Sequence, residues 1–266
     1  MSLFFTPRRS PIREDERSVL MHALRFSFDV EGKRVQGYSW GAGPVILLAH
    51  GWQGNAGHMT AFVKPLVRAG FRAVAIDMPA HGKSEGRKSS IVHFAAAIEA
   101  AAELFGPLRG LIGHSGGAAA GANAMARHLP VRLAVLIAPP ARLETFLTRF
   151  ASRLGLPEAV IREMTMKAER WLKTQFENVS PVRSARSVTV PVLVIHAPED
   201  AMIAFDEGAE VASNFVNGAF MSAPGMGHMR ILKDWRTISH AVEFLQGGGQ
   251  TSKAVQSLNR DRLKTL

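Results

Sequence analysis

Leu108-Arg109-Gly110-Leu111-Ile112-Gly113-His114-Ser115-Gly116-Gly117-Ala118-Ala119-Ala120-Gly121 is the stretch on which the fold turns. It opens as a short apolar run, passes through G-x-S-x-G at 113–117 and continues into small residues. A strand-sized run followed at once by such a segment leaves the serine on a sharp strand-to-helix turn. That turn needs residues without side chains two positions before and after the serine, because the backbone folds back on itself, and Gly113 and Gly117 satisfy this. The pattern alone is weak: at this glycine and serine content about 0.15 matches arise by chance, or roughly one chain in seven. A glycine-rich turn with an incidental serine is the competing reading, and the surroundings decide between them.

Outward from that stretch, short continuous apolar runs recur at 44–49, 71–76, 132–138, 190–196 and 218–222. They are too apolar for strands with one wet face and predict parallel strands buried on both. Helix-length segments lie between them at 57–69, 89–105, 115–128, 205–215 and 233–246. Alternating strand and helix predicts an α/β fold, a doubly wound and mostly parallel sheet covered on both faces. Ahead of it Leu24, Phe26, Phe28 and Val30 alternate with polar residues. Glu31-Gly32-Lys33 supplies a turn and Arg34 to Trp40 returns, predicting an antiparallel hairpin. Residues 1–20, charged and broken by proline, read as an extended lead-in.

One segment breaks the alternation. Residues 141–186 carry Leu143, Phe146, Leu147 and Phe150, then Val160, Met164, Met166 and Trp171, at roughly helical spacing. This is too long for a connection and too apolar for a structureless one, so a helical cap is expected. The domain reading is a core of 1–140 and 187–246, a cap of 141–186, and a flexible tail of 247–266 opened by Gly247-Gly248-Gly249.

Composition narrows the function. The chain has 266 residues, 47% apolar and 20% charged, as ordinary globular proteins do. Cysteine is absent, which removes disulfide scaffolds, thiolate metal sites and cysteine nucleophiles. No run approaches the roughly 18 apolar residues of a membrane span, and Arg8 and Arg9 cut short any leader-like start, so the cytoplasm is the expected compartment. The formal charge of +10 is spread along the chain, with no basic run interleaved with aromatics, and nucleic acid is not an expected partner. Gly82-Lys83-Ser84 ends like a phosphate loop, but the first glycine of that motif would be Asp77. No two histidines are four apart and no G-x-G-x-x-G follows a strand, so neither a metal nor a nucleotide cofactor is implied.

A serine hydroxyl at its ordinary pKa is a poor nucleophile and needs a base, which in turn needs an orienting acid. His228, in Ala223-Pro224-Gly225-Met226-Gly227-His228, follows the last strand. Asp200, in His196-Ala197-Pro198-Glu199-Asp200, follows the one before. The order Ser115, Asp200, His228 is the one this architecture imposes, since successive strands present their loops to one crevice. Glu199 stands beside Asp200 as an alternative acid. Acyl transfer also needs donors aimed at the developing oxyanion. The amides of Gly116, at a helix start, and of Trp52, in His50-Gly51-Trp52-Gln53-Gly54, are the candidates. His114, Phe146 and Trp171 are the candidate pocket residues.

Taken together, the His50-Gly51 loop, Asp77-Met78-Pro79-Ala80-His81-Gly82-Lys83-Ser84, the turn at Ser115, Asp200 and His228 resemble the α/β-hydrolase-fold serine hydrolases of the capped esterase and lipase kind. The resemblance runs from about residue 22 to 246. It implies a small-molecule ester or thioester substrate, with a thioesterase or amidase using the same residues as the near alternative. A non-catalytic binding module on the same fold is the alternative from another class. Two departures stand out: Ala80 where the family's motif has glycine, and Ala204 where it often has proline. The family's other acid position falls on Glu144.

Overall fold

The computed structural model describes residues 4–249, so most of the tail expected at 247–266 lies outside the described residues. Eight strands form one sheet: β1 (Leu24–Val30), β2 (Lys33–Trp40), β3 (Val45–Ala49), β4 (Arg72–Ile76), β5 (Gly110–His114), β6 (Ala134–Ile137), β7 (Val192–His196) and β8 (Gly218–Ser222). Their spatial order is β1-β2-β4-β3-β5-β6-β7-β8, with β1, β2 and β4 paired antiparallel and all later pairs parallel. This is the α/β-hydrolase fold expected from the sequence.

The apolar runs are continuous because both faces of the sheet are buried. Along β3, Val45, Leu47 and Ala49 enter one core, while Ile46 and Leu48 enter the other. The first core is closed by α3 (Ile91–Phe105), α4 (Gly116–Ala126), α8 (Pro181–Ala185) and α9 (Phe205–Asn214). The second is closed by α1 (Glu14–Met21), a 3-10 turn at Ala56–Phe62, α2 (Val63–Arg68) and α10 (Trp235–Gln246). Helix α4 is buried on every side from Gly116 to Met125, which its glycines and alanines permit. A Cβ at Gly121 would come within 2.6 Å of Leu111 on β5.

The insertion is helical, with α5 (Glu144–Arg153), α6 (Glu158–Leu172) and α7 (Phe176–Val179) preceding α8. Leu143, Leu147, Met164, Leu172 and Phe176 gather there into a third apolar cluster. Val182 and Ala185 of α8 instead join the sheet's own core.

Two local readings need correction. Residues 1–20 are not wholly extended, since Glu14–Met21 is helical. Glu14, Asp15 and Glu16 sit in its first turn, where acids favour the helix dipole, and Glu16 accepts the Arg13 amide at 3.0 Å. The helix forms because Leu20 is buried in the second core, a tertiary gain invisible in so polar a segment. The segment 57–69 divides into the 3-10 turn and α2, whose first turn holds Pro65 where a missing N–H costs little. Among the described residues no helix is long and apolar enough to cross a membrane.

Candidate active site

Ser115 joins β5 to α4 with φ 51° and ψ −115°, a left-handed conformation that costs a non-glycine residue about 1–3 kcal/mol. The surrounding backbone holds it there: Ser115 N donates to Ile137 O on β6 at 2.8 Å, and Ala119 N donates to Ser115 O at 3.0 Å. Both flanking glycines are required by close approach. A Cβ at Gly113 would lie 2.7 Å from Ala118 Cα and 2.8 Å from Gly117 O, and one at Gly117 would lie 2.3 Å from Ala49 O. The turn therefore packs directly on the end of β3.

The loop after β3 meets the serine from the other side. A Cβ at Gly51 would lie 3.0 Å from Ser115 Cβ, and one at Gly116 would lie 3.2 Å from the Trp52 amide nitrogen. Trp52 N and Gly116 are thus neighbours beside Ser115. His50, which opens the His50-Gly51 loop of the resemblance but was given no role of its own, braces this loop. Its Nε2 accepts the Met78 amide at 2.9 Å and so its Nδ1–H donates to Gly51 O at 2.7 Å. Burial holds His50 well below the ordinary imidazole value, in keeping with that neutral tautomer.

Asp200 and His228 come together as expected. His228 Nδ1 donates to Asp200 Oδ2 at 2.7 Å. The other carboxylate oxygen accepts the amides of Met202 at 2.8 Å and Ile203 at 3.0 Å. A further histidine, missed in the sequence, shares Oδ2: His196, wholly buried at the end of β7, places Nε2 3.4 Å from it and 3.2 Å from Ile203 O. Burial pushes the Asp200 carboxyl up, but the hydrogen bonds from His196, His228 and the Ile203 amide outweigh it and hold the group well below the usual carboxylate range. Glu199 is exposed and accepts the Gly225 amide at 2.9 Å, and Glu144 accepts from Ser180 Oγ at 3.3 Å. Neither carboxylate meets His228.

His114 lies beneath these groups, its ring 4.7 Å from that of His228 and its Nε2 donating to His228 O at 2.9 Å. Burial lowers its pKa to about 3. The Asp-Met-Pro-Ala-His-Gly-Lys-Ser stretch proves to be a brace. The Asp77 carboxylate accepts the Ala56 amide at 2.7 Å and the Lys83 amide at 2.8 Å, linking β4 to the 3-10 turn. Ala80 has φ 67°, so the alanine does occupy a position where glycine's freedom is wanted.

A cavity of about 690 Å³ opens over this assembly, lined by Ser115, His228, His114, Trp52, Gly116 and Phe146 among others. Trp171 is not among its lining residues. Its ring packs 4.6 Å from Phe5 and 5.2 Å from His93, and Phe5 lines the cavity in its stead. The side chain of Phe150 lies outside the described residues. A larger hollow of about 940 Å³, bordered by Asn123, Arg142 and Ser184, contains none of the groups around Ser115. Among the described residues no three His, Asp or Glu side chains are grouped to hold a metal ion.

Residues 46–244 match the profile described as "Alpha/beta hydrolase family". The chain belongs to this family. This alpha/beta hydrolase is therefore an enzyme of the hydrolase class. It is similar to a non-heme haloperoxidase of Rhodococcus erythropolis, 27% identical over 252 residues that cover 74% of this chain and 90% of that protein. It is also similar to the bifunctional esterase/perhydrolase DCH of Acinetobacter calcoaceticus, 24% identical over 246 residues covering 71% and 87%. Among solved structures, the Pyrococcus furiosus esterase Pf2001 superposes with a TM-score of 0.69 at 20% identity, covering 91% of this alpha/beta hydrolase and 96% of that chain.

Proposed function

We propose that this alpha/beta hydrolase cleaves carboxylic esters through an acyl-enzyme on Ser115, with His228 as base and Asp200 as the acid that orients it. The observation that carries this reading is the buried 2.7 Å bond from His228 Nδ1 to Asp200, beside a serine held at φ 51° in the same cavity. With Nδ1–H committed to Asp200, the lone pair of Nε2 is free to take the Ser115 proton as Oγ attacks the ester carbonyl. The Trp52 and Gly116 amides stabilise the tetrahedral oxyanion. The imidazolium, balanced by Asp200, then gives its proton to the departing alcohol, and His228 activates water to release the acid.

Thioesters and activated amides meet the same chemistry, so the ester is a choice within one mechanism. The relatives' names favour a second reading, in which hydrogen peroxide instead of water attacks the acyl-enzyme and a peroxy acid leaves. A fluorophosphonate probe tests the shared step. Mass spectrometry should find the adduct on the peptide carrying Ser115, and Ser115→Ala should stay unlabelled and retain only about 10³- to 10⁴-fold acceleration over water. An adduct on another serine, or full hydrolysis by that variant, sinks the proposal, and a binding module on this fold would take no label at all. Turnover of p-nitrophenyl esters beside acyl-CoAs, aryl amides and peroxide then ranks the substrates.

A further inference from the structure

Residues 4–13 do not hang free of the site. Phe5 is 3% exposed and packs into the insertion's apolar cluster, its ring against Trp171. The segment is pinned at three places. Ser89 N donates to Phe5 O at 2.9 Å. The Arg9 guanidinium donates to the carbonyls of Gly82, of Ser84 at 2.8 Å and of Gly86 at 3.4 Å. Ser10 Oγ donates to Gln53 O, while Asn55 Nδ2 donates to Ser10 O at 3.2 Å. These anchors are the approach to α3, the turn after Asp77 and the loop that carries Trp52.

At and beside these anchors the same segment faces the cavity. Phe4 and Phe5 line it together with Leu143, Phe146, Leu172 and Phe176, whereas Ser10 and Arg13 line it beside Gln53 and His58. One wall of the cavity is thus supplied by neither the sheet nor the insertion, and it is apolar where it meets the insertion's apolar side chains. We propose that this N-terminal strap is a specificity element: Phe5, backed by Trp171, forms the end wall of an apolar compartment that receives the acyl chain and limits its length. The proposal rests on the serine-hydrolase reading and adds its substrate class, esters of apolar acyl groups. Arg9 acts at one remove, as a positioning residue that keeps Phe5 in place.

The test compares kcat/KM on p-nitrophenyl acetate, butyrate, octanoate and laurate. In Phe5→Ala the octanoate-to-acetate ratio should rise at least about tenfold, the scale on which a pocket discriminates a methylene or two. Phe5→Leu, which keeps an apolar side chain in the cluster, should shift the ratio in the same direction by less, and serves if the alanine variant does not fold. Arg9→Gln should also raise it, although Arg9 is not among the residues that line the cavity. An equal loss at every chain length with a lower Tm, or an unchanged ratio in folded variants, would overturn the strap proposal while Ser115 labelling leaves the hydrolase reading intact. Absence of both labelling and ester turnover in the unaltered protein would overturn the two together.

Discussion

The carboxylate of Asp200 receives two amides on one oxygen and two imidazoles on the other, so its orientation is set before any substrate arrives. Asp200→Asn keeps the shape but replaces an acceptor with an amide whose N–H₂ cannot accept from His228, which favours the wrong imidazole tautomer. A fall in kcat of about 10³- to 10⁴-fold with little change in KM is expected from steady-state kinetics. Glu199→Gln should change kcat less than about threefold, since the exposed Glu199 accepts the Gly225 amide and takes no part in the bond between His228 and Asp200. A reversal of these two effects would move the acid to Glu199. His196 has a different signature. His196→Phe removes one donor to Asp200 but not the bond to His228, so kcat should fall far less than in Asp200→Asn.

Turns and loops carry constraints that no single side chain explains. Gly82 sits at φ 47°, and a Cβ there would lie 2.1 Å from Asp77 Cγ, inside the carboxylate that ties β4 to the 3-10 turn. Gly82→Ala is therefore expected to destabilise by at least about 2 kcal/mol, from backbone strain and a displaced buried acceptor together. Urea unfolding at pH 7 measures it. A loss under 0.5 kcal/mol would mean that the turn adapts. The strands and the turn at Ser115 were legible because burial on both sheet faces writes continuous apolar runs, and because close backbone approach leaves only glycine at 113 and 117. Helix α1 and the placement of Phe5 were not legible, since both depend on partners far along the chain, Leu20 on the second core and Phe5 on Trp171. Nor could Trp171 be oriented, because helical spacing shows that a residue is on an apolar face without showing what it meets. The bracing roles of His50 and His196 were silent for a related reason: a bracing histidine has no pattern of its own.

At the scale of the whole molecule, buried histidines tie stability to pH. Burial holds His50 well below its ordinary value, His81 at about 4 and His114 at about 3, so all three stay neutral in the folded chain while the unfolded chain protonates them below about 6.5. The unfolded state then binds more protons, and stability falls as pH drops from about 6.5 toward 4, by on the order of 4 kcal/mol per pH unit when all three are fully protonated in it. Asp77, whose carboxyl burial pushes up, works against this as a single group. Asp200, held low, adds its own loss only once pH falls below the ordinary carboxylate value. The urea midpoint should therefore drop clearly between pH 7 and 5, and a flat profile would show these imidazoles protonating in place. Under the proposed nucleophile role, stability and chemistry also compete at Ser115, whose left-handed backbone a glycine would adopt without strain. Ser115→Gly should raise Tm by roughly 2–4 °C for each kcal/mol released. Laboratory evolution screened only for heat tolerance or soluble yield would accordingly enrich glycine at 115 and breed the enzyme into a robust, inert scaffold. Any such campaign needs an activity gate in every round.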